Sequence, residues 1–421
     1  MPISARRGAV GLLALLVLAL PSSAAADPGD LDTTFSNDGK VLTNATAGYD
    51  YAFGLVVLPD GKIVTAGPAS GGRGRFCVIR YNSNGTLDTG FGGTGIVFTN
   101  FTRKIDEAYD IALWQDKYLV AGTAAAPDGR FALARYNDDG TLDTSFGGGD
   151  GKVRTDLSPG NDFAFNVAVQ SDDKIVAAGH QQRQGGRFAV VRYNGDGSLD
   201  TTFSGDGKAF VNFTDFMDHA DDLALNDDGT ILLAGPAAEN SRNGRFALAR
   251  FEADGDPDLT FSGDGKLTTN LTPGFDAAFG VVIQPDERIV AVGQGGQRMG
   301  LARYGPTGTL DPTFGGDGIV RTDFSPRGDL ADEVALTAGG GIFVAGVAGL
   351  GVHDTKFAVA LYTATGALDT TFSGDGRVKT NMTPRFDYAL DAQIDPSSDK
   401  LVVAGIAADA LKSGVARYLT N

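Results

Sequence analysis

Cysteine is almost missing from this chain, and the one that is present, Cys77, has no second thiol to pair with, so no intramolecular disulfide can form. A buried, inert thiol is the expectation for Cys77, because it sits beside Phe76 in a strand pattern with no nearby histidine or helix start to lower its pKa. Histidine is nearly as scarce, at three residues, which leaves little material for a histidine-rich metal centre. Basic residues are outnumbered, 35 against 52 acids, giving a formal charge of −17. That sign argues against nucleic acid and anionic membrane surfaces as partners. Helical periodicity is absent from every run of eleven or more residues, so long amphipathic helices are excluded.

Long apolar runs are also lacking, except at the start. Arg6 and Arg7 precede the twelve-residue apolar run Ala9 to Leu20, and Ala24-Ala25-Ala26 follows as a small-residue cleavage site. The run is too short to span a bilayer and reads as a removable Sec-type signal peptide over 1–26. Cleavage would remove both arginines and no acid, taking the formal charge from −17 to −19. No cysteine follows as a lipid anchor, and no second segment is long enough to span. A secreted, periplasmic or cell-surface protein with no membrane span is expected, and a monomer.

What the chain has in abundance is repetition. Phe131-Ala132-Leu133-Ala134-Arg135-Tyr136-Asn137-Asp138-Asp139-Gly140-Thr141-Leu142-Asp143-Thr144-Ser145-Phe146 alternates like a strand, turns at Asp-Gly and leads to another strand at Gly151-Lys152-Val153. The phenylalanine closing each copy recurs at Phe35, Phe91, Phe146, Phe203, Phe261, Phe314 and Phe372, at intervals of 53 to 58 residues. The strand that ends in Arg-Tyr also occurs seven times, its aromatic at Tyr81, Tyr136, Tyr193, Phe251, Tyr304, Tyr362 and Tyr418. The repeat phenylalanines are expected in the core.

Each period holds four strand-like runs, in the first full copy Tyr51–Leu58, Lys62–Ala66, Arg75–Asn82 and Gly95–Asn100. Four antiparallel strands cannot bury both faces alone, so copies must stack, and a unit of this length suits a propeller blade. The spacing predicts an all-β fold, a seven-bladed β-propeller of four-stranded antiparallel blades filling 27–421 as a single domain. The ends are out of phase with the repeat: the chain opens with Leu31-Asp32-Thr33-Thr34-Phe35 and the strand Gly39–Asn44, and closes on Val415-Ala416-Arg417-Tyr418. The N-terminal strand is therefore expected to complete the last blade and hide two sheet edges.

The run Phe188-Ala189-Val190-Val191-Arg192-Tyr193-Asn194-Gly195-Asp196-Gly197-Ser198-Leu199-Asp200-Thr201-Thr202-Phe203, with Gly205-Asp206-Gly207-Lys208, resembles the bacterial delta-60 repeats. The resemblance spans 29–421; Pro257 replaces the leucine in the fourth copy and Leu361 the arginine in the sixth. It implies a bacterial, exported or surface β-propeller and lends no catalytic residues.

Function is much less legible. Analogy with other propellers puts the run at Tyr51 innermost, so connections from outer to inner strand and from second to third strand share the channel-mouth face. The second-to-third connection varies from four to nine residues while the others barely change, which favours this face for binding. Segments 68–74, 236–244 and 347–355 are the candidate binding loops.

Asp50, Asp106, Asp162, Asp218, Asp276, Asp329 and Asp387 open the inner strands on that face. They could attract a cation, or could cap turns or pair with Arg75, Arg130, Arg187, Arg245, Arg298, Lys356 and Lys412 at the third strands. Of the three histidines, His180, His219 and His353, two lie in adjacent blades beside Asp218. His180, Asp218 and His219 are thus the candidates for a catalytic group. The stretch Asn194 to Asp200 has the look of a calcium loop but offers Arg192 and Phe203 where ligands are needed.

The reading is an exported binding or structural module. Its partner would be an extracellular protein, a glycan or a small molecule at the channel mouth, with no resident cofactor and at most a channel-bound cation. A propeller hydrolase, lyase or lactonase at the same face is the alternative.

Overall fold

In the computed structural model, residues 26–420 are described, apart from 72, 126–128, 184, 241, 351–353 and 408–410. The expected leader, bar Ala26, lies outside the described residues. Among the described residues all elements are β-strands, gathered into seven antiparallel sheets. Blade 1 runs outward through Gly54–Val57, Ile63–Ser70, Gly74–Tyr81 and Ile96–Thr99. Blades 2 and 3 begin with the inner strands Asp106–Trp114 and Asp162–Val169. Blade 4 has its inner strand in two pieces, Met217–Asp218 and Asp222–Leu225, both paired with Ile231–Asn240. Asp276–Ile283, Asp329–Leu336 and Asp387–Ile394 open blades 5, 6 and 7.

The outer strand of blade 7 comes from the other end of the chain. Lys40–Thr43 lies antiparallel on Lys412–Tyr418, with Lys40 opposite Ala416 and Thr43 opposite Ser413. The closure extends further back: Asp32 N donates to Arg417 O at 2.9 Å, Leu419 N to Asp30 O at 2.9 Å, and Ser373 N of blade 6 to Pro28 O at 2.7 Å. Residues 28–43 supply every part that the last repeat lacks, and the sheet ring has no open edge at this seam.

The core is divided as stacking requires. Seven apolar clusters each join two neighbouring blades, such as Val64, Val78, Val120 and Ala134 between blades 1 and 2, or Leu55, Ile79, Val402 and Val415 across the seam. Each repeat phenylalanine is fully buried. Phe146 lies beneath the turn of the next blade, where a Cβ on Gly197 (φ +87°) would come within 2.7 Å of its ring. Only glycine fits there without strain.

The strands differ from the sequence expectation at their inner ends. Regular pairing in blade 1 starts at Gly54 rather than Tyr51, because the inner strands bulge after the alanine two residues beyond the opening aspartate, as between Ala108 and Asp110 or Ala331 and Glu333. The second strands are longer than expected. Ile63–Ser70 pairs up to Ser70 opposite Gly74, and Ile231–Asn240 up to Asn240 opposite Asn243. The supposed variable loops 68–74 and 236–244 are therefore mostly taller hairpins, and extra length goes into paired backbone rather than loose chain. Of 347–355, Val347 and Ala348 are strand, and 351–353 lie outside the described residues.

Candidate functional site

The seven aspartates that open the inner strands are all buried, and their carboxylates are spent inside their own blades. Asp106 accepts hydrogen bonds from Phe101 N (2.9 Å), Thr102 N (2.9 Å) and Thr102 Oγ1 (2.8 Å). Asp50 is held by Thr46, Asp162 by Leu157 and Ser158, Asp218 by Phe213 and Thr214, and Asp276 by Leu271 and Thr272. Asp329 is held in the same way by Phe324 and Ser325, and Asp387 by Met382 and Thr383. Each closes the turn that feeds its strand, the capping chemistry that short acidic side chains supply. The arginines opening the third strands go elsewhere: Arg130 meets Asp156 at 3.1 Å, Arg298 meets Asp323 at 3.6 Å, and Arg75 lies over the Phe98 ring.

The opposite face is occupied by the Arg-Tyr and Leu-Asp-x-x-Phe motifs, which staple blade to blade. Arg192 Nε donates to Asp200 at 2.8 Å, its Nη1 to Ala253 O in the next blade, and its guanidinium lies 4.7 Å from the Phe203 ring centre. The same set recurs at Arg80, Arg135, Arg250, Arg303 and Arg417, the last joining Asp32 of the N-terminal segment to Ser83 O of blade 1. Calcium-loop chemistry has no place in it, since Asp196 and Asp200 are bonded to Ser198 and Thr202.

The channel mouth is a different surface. The bulge sends two consecutive side chains of each inner strand toward the axis. The bulged position carries Phe53, Tyr109, Phe165, Asp221, Phe279, Asp332 and Leu390, and the next carries Gly54, Asp110, Asn166, Asp222, Gly280, Glu333 and Asp391. All of these but Gly54 and Gly280 line a cavity of about 710 Å³, whose wall also includes the apolar Leu113, Val169 and Leu336.

Aromatic rings form a continuous arc around blades 1 to 4. Phe53 stacks on Tyr109 with centres 5.7 Å apart, Tyr109 meets Phe165 edge-on at 5.2 Å, and Phe163 stacks on Phe165 at 5.8 Å. Tyr49 and Tyr51 extend the arc at one end. His180 and His219 end it at the other, 6.1 Å from each other and within 6.2 Å of Phe163 and 5.7 Å of Phe165 respectively. Ile105, Phe216 and Met217, all exposed, stand in the turns on the same face.

The structure thus brings His180 and His219 together but does not give them Asp218 as carboxylate partner. Asp218 contributes its backbone oxygen, 3.2 Å from His180 Nδ1, so that nitrogen carries the proton and Nε2 is left as acceptor. Burial lowers the His180 pKa. The partner of His219 is Asp221, Nδ1 to Oδ1 at 2.9 Å; burial alone would lower this imidazole, but the Asp221 charge and hydrogen bond raise it. His353 lies outside the described residues. Cys77 is buried and far from thiolate behaviour, its pKa pushed up by burial.

Below the arc sit carboxyls that the sequence reading passed over. Asp110 Oδ2 accepts from Val167 N in blade 3 at 2.8 Å, Asp222 Oδ2 from Val281 N in blade 5 at 2.7 Å, and Asp391 Oδ2 from Leu55 N in blade 1 at 2.5 Å. Each links its blade to the following one. Burial raises Asp110 to about 7. Burial, with the charges of neighbouring carboxyls added, also raises Asp222, Asp332, Glu333 and Asp391. The signal was present in the sequence: three and four residues after each strand-opening aspartate, aromatic, acidic and glycine residues alternate where the other positions repeat.

Five segments, 58–91, 116–146, 170–203, 227–261 and 284–314, match a family model described as a domain of unknown function (DUF5122) beta-propeller. The chain is built of β-propeller repeats. No curated protein matches it. Among solved structures it is similar to virginiamycin B lyase from Staphylococcus aureus, at 12% identity over 90% of this chain and 98% of that one, with a TM-score of 0.53. It is also similar to the WD40 repeats of RRP9, at 10% identity over 90% of this chain and 97% of that one, TM-score 0.51. At these identities the likeness is one of fold.

Proposed function

We propose that the protein is an exported binding module of the delta-60 type whose ligand sits at the channel mouth. The aromatic arc from Tyr49 to His219 carries this reading. Rings that serve only as core are covered by neighbours, whereas Tyr51, Phe53, Phe163 and Phe165 remain partly exposed, Phe53 and Phe165 at the channel cavity. Partly exposed aromatics over a concave, preformed cavity are the usual anchor of a ligand. The other face carries the arginine staples, and its cavity of about 740 Å³ beside Arg250 and Asp258 has no such arc of rings among the described residues. The test is a ligand-array screen on the 27–421 protein read by thermal shift, repeated with Phe165→Ala. A ligand whose shift is lost in the variant supports the reading; ligands that stabilise both proteins equally would place binding elsewhere.

One observation favours a second reading, an acid–base enzyme at the same mouth. His219, oriented by Asp221, has the arrangement of a general base, and His180 presents an acceptor nitrogen beside it. The similar fold of a lyase is compatible with it. Turnover of a bound ligand, abolished by His219→Gln with binding retained, would select the enzyme.

A further inference from the structure

We propose that the ligand at the channel mouth is an organic cation with an alkylated ammonium head group, seated among Phe53, Tyr109, Phe165 and Phe279 and faced by the carboxyls of Asp221 and Asp332. The proposal rests on the channel mouth being the binding face and names what it takes.

The bulge places these six residues at one level of the channel, four rings and two acids from six of the seven blades. Ring faces carry negative potential and attract alkylammonium groups, which lose little hydration on entering such a cage. The two acids are unfinished. Asp221 Oδ2 and Asp332 Oδ2 are both covered, with no hydrogen-bond partner among the described residues, although Asp221 is close enough to Asp332 for its charge to raise that carboxyl. A buried acceptor without a donor is costly, and a ligand that brings positive charge would relieve it.

The cavity also lacks any basic counterpart. Among the described lining residues there is no lysine or arginine, while six carboxyl groups contribute to the wall. The nearby His219 is already committed to Asp221 Oδ1. A bare divalent ion fits poorly, because it needs several oxygens converging at about 2–2.6 Å. No three such groups converge among the described residues. A bulky, diffuse cation satisfies carboxyls spread over several blades.

Binding should be linked to protons. Asp110 from blade 2, Asp221 and Asp222 from blade 4, Asp332 and Glu333 from blade 6 and Asp391 from blade 7 face the channel, with Glu107, His180 and His219 at the rim. Burial raises Asp110 to about 7 and raises Asp222, Asp332, Glu333 and Asp391, so a cation entering at neutral pH displaces protons. Affinity should therefore fall as pH drops from about 8 to about 6.

Titration calorimetry on the 27–421 protein tests this with choline, its uncharged isostere 3,3-dimethylbutan-1-ol, and cellobiose. The expected result is choline binding with proton release, and binding of the isostere weaker by about tenfold or more. Asp332→Asn should weaken choline by about tenfold. Phe279→Leu, which keeps apolar volume but removes the ring, should do so too, with melting temperature as the check on folding. Equal binding of choline and its isostere, or no binding of choline, overturns the cation. Cellobiose binding that is lost in Phe165→Ala would also overturn the cation while leaving the mouth as the binding face. A ligand from the array indifferent to both Phe165→Ala and Tyr109→Ala would remove both.

Discussion

At the scale of the residue, the repeating motif is a staple whose parts have separable energies. The Arg135 guanidinium is almost fully buried, bonded to Asp143 at 2.8 Å, to Gly195 O of the next blade, and lies over the Phe146 ring at 4.5 Å. Removing one partner of a buried ion pair leaves the other charge uncompensated, typically at a cost of about 3–5 kcal/mol. Lys117, 2.6 Å from Asp143, holds part of that charge, so Arg135→Met should fall near about 3 kcal/mol by chemical denaturation. Phe146→Ala removes a fully buried ring from between two blades and should cost about 3–5 kcal/mol. A loss below about 1 kcal/mol would mean the segment is a surface decoration. Blade 6 shows that a single staple is dispensable, since Leu361 stands where the other full repeats have arginine, yet its Phe372 is still fully buried.

At the scale of the element, the strand Lys40–Thr43 and the preceding segment from Pro28 decide whether the ring closes. Its bonds are the same as those between other blades, but they join residues nearly four hundred positions apart, as Arg417 to Asp32 at 2.7 Å shows. Deleting 27–44 should expose the edge of Lys412–Tyr418 and leave Arg417 without its carboxylate. The truncated chain should aggregate or pair through that edge. Moving 27–44 to the C-terminus should restore a monomer, because it returns the same strand to the same blade. A truncation that stays monomeric by light scattering and melts like the parent would contradict the seam.

For the whole molecule, two sets of carboxyls set opposite limits on stability. Asp32 and Asp200 are held at about 2, where burial acts to raise them but their bonds to lysine, arginine and hydroxyl groups win. Their contribution is present above the ordinary carboxyl range and is lost as pH falls toward 2. Asp110, raised to about 7, and the other channel carboxyls work the other way. The folded state keeps protons that the unfolded chain has lost, so stability falls as pH rises through about 7. The melting temperature should therefore peak in the acidic range, and Asp110→Asn should flatten its decline between about pH 4 and 7. A melting temperature that rises over that interval would show the channel acids to be ionised without penalty. Export is tested apart from this: the protein should be recovered outside the cytoplasm with its N-terminus near Asp27.

The architecture was legible because it is a matter of period and phase. Seven copies of Arg-Tyr and of Leu-Asp-x-x-Phe, with the ends offset by one strand, leave few ways to bury four-stranded sheets other than a ring closed by the N-terminus. Local chemistry alone also accounts for the turn residues, since Gly197 and its equivalents need positive φ wherever the chain lies. The site was not legible, for a physical reason. Sequence places His219 next to Asp218 and His180 in the adjacent blade, yet neighbours along a strand point to opposite sides, so adjacency in sequence does not make a shared surface. Folding turns the strand-opening aspartates into turn caps, and the bulge after the following alanine shifts the alternation by one, aiming Tyr109 and Asp110 together at the axis. The arc of rings across four blades and the carboxyls facing one another over the channel arise only when the ring is closed. They join side chains that are a full repeat or more apart, and no local pattern ties one blade's inner strand to its neighbour's.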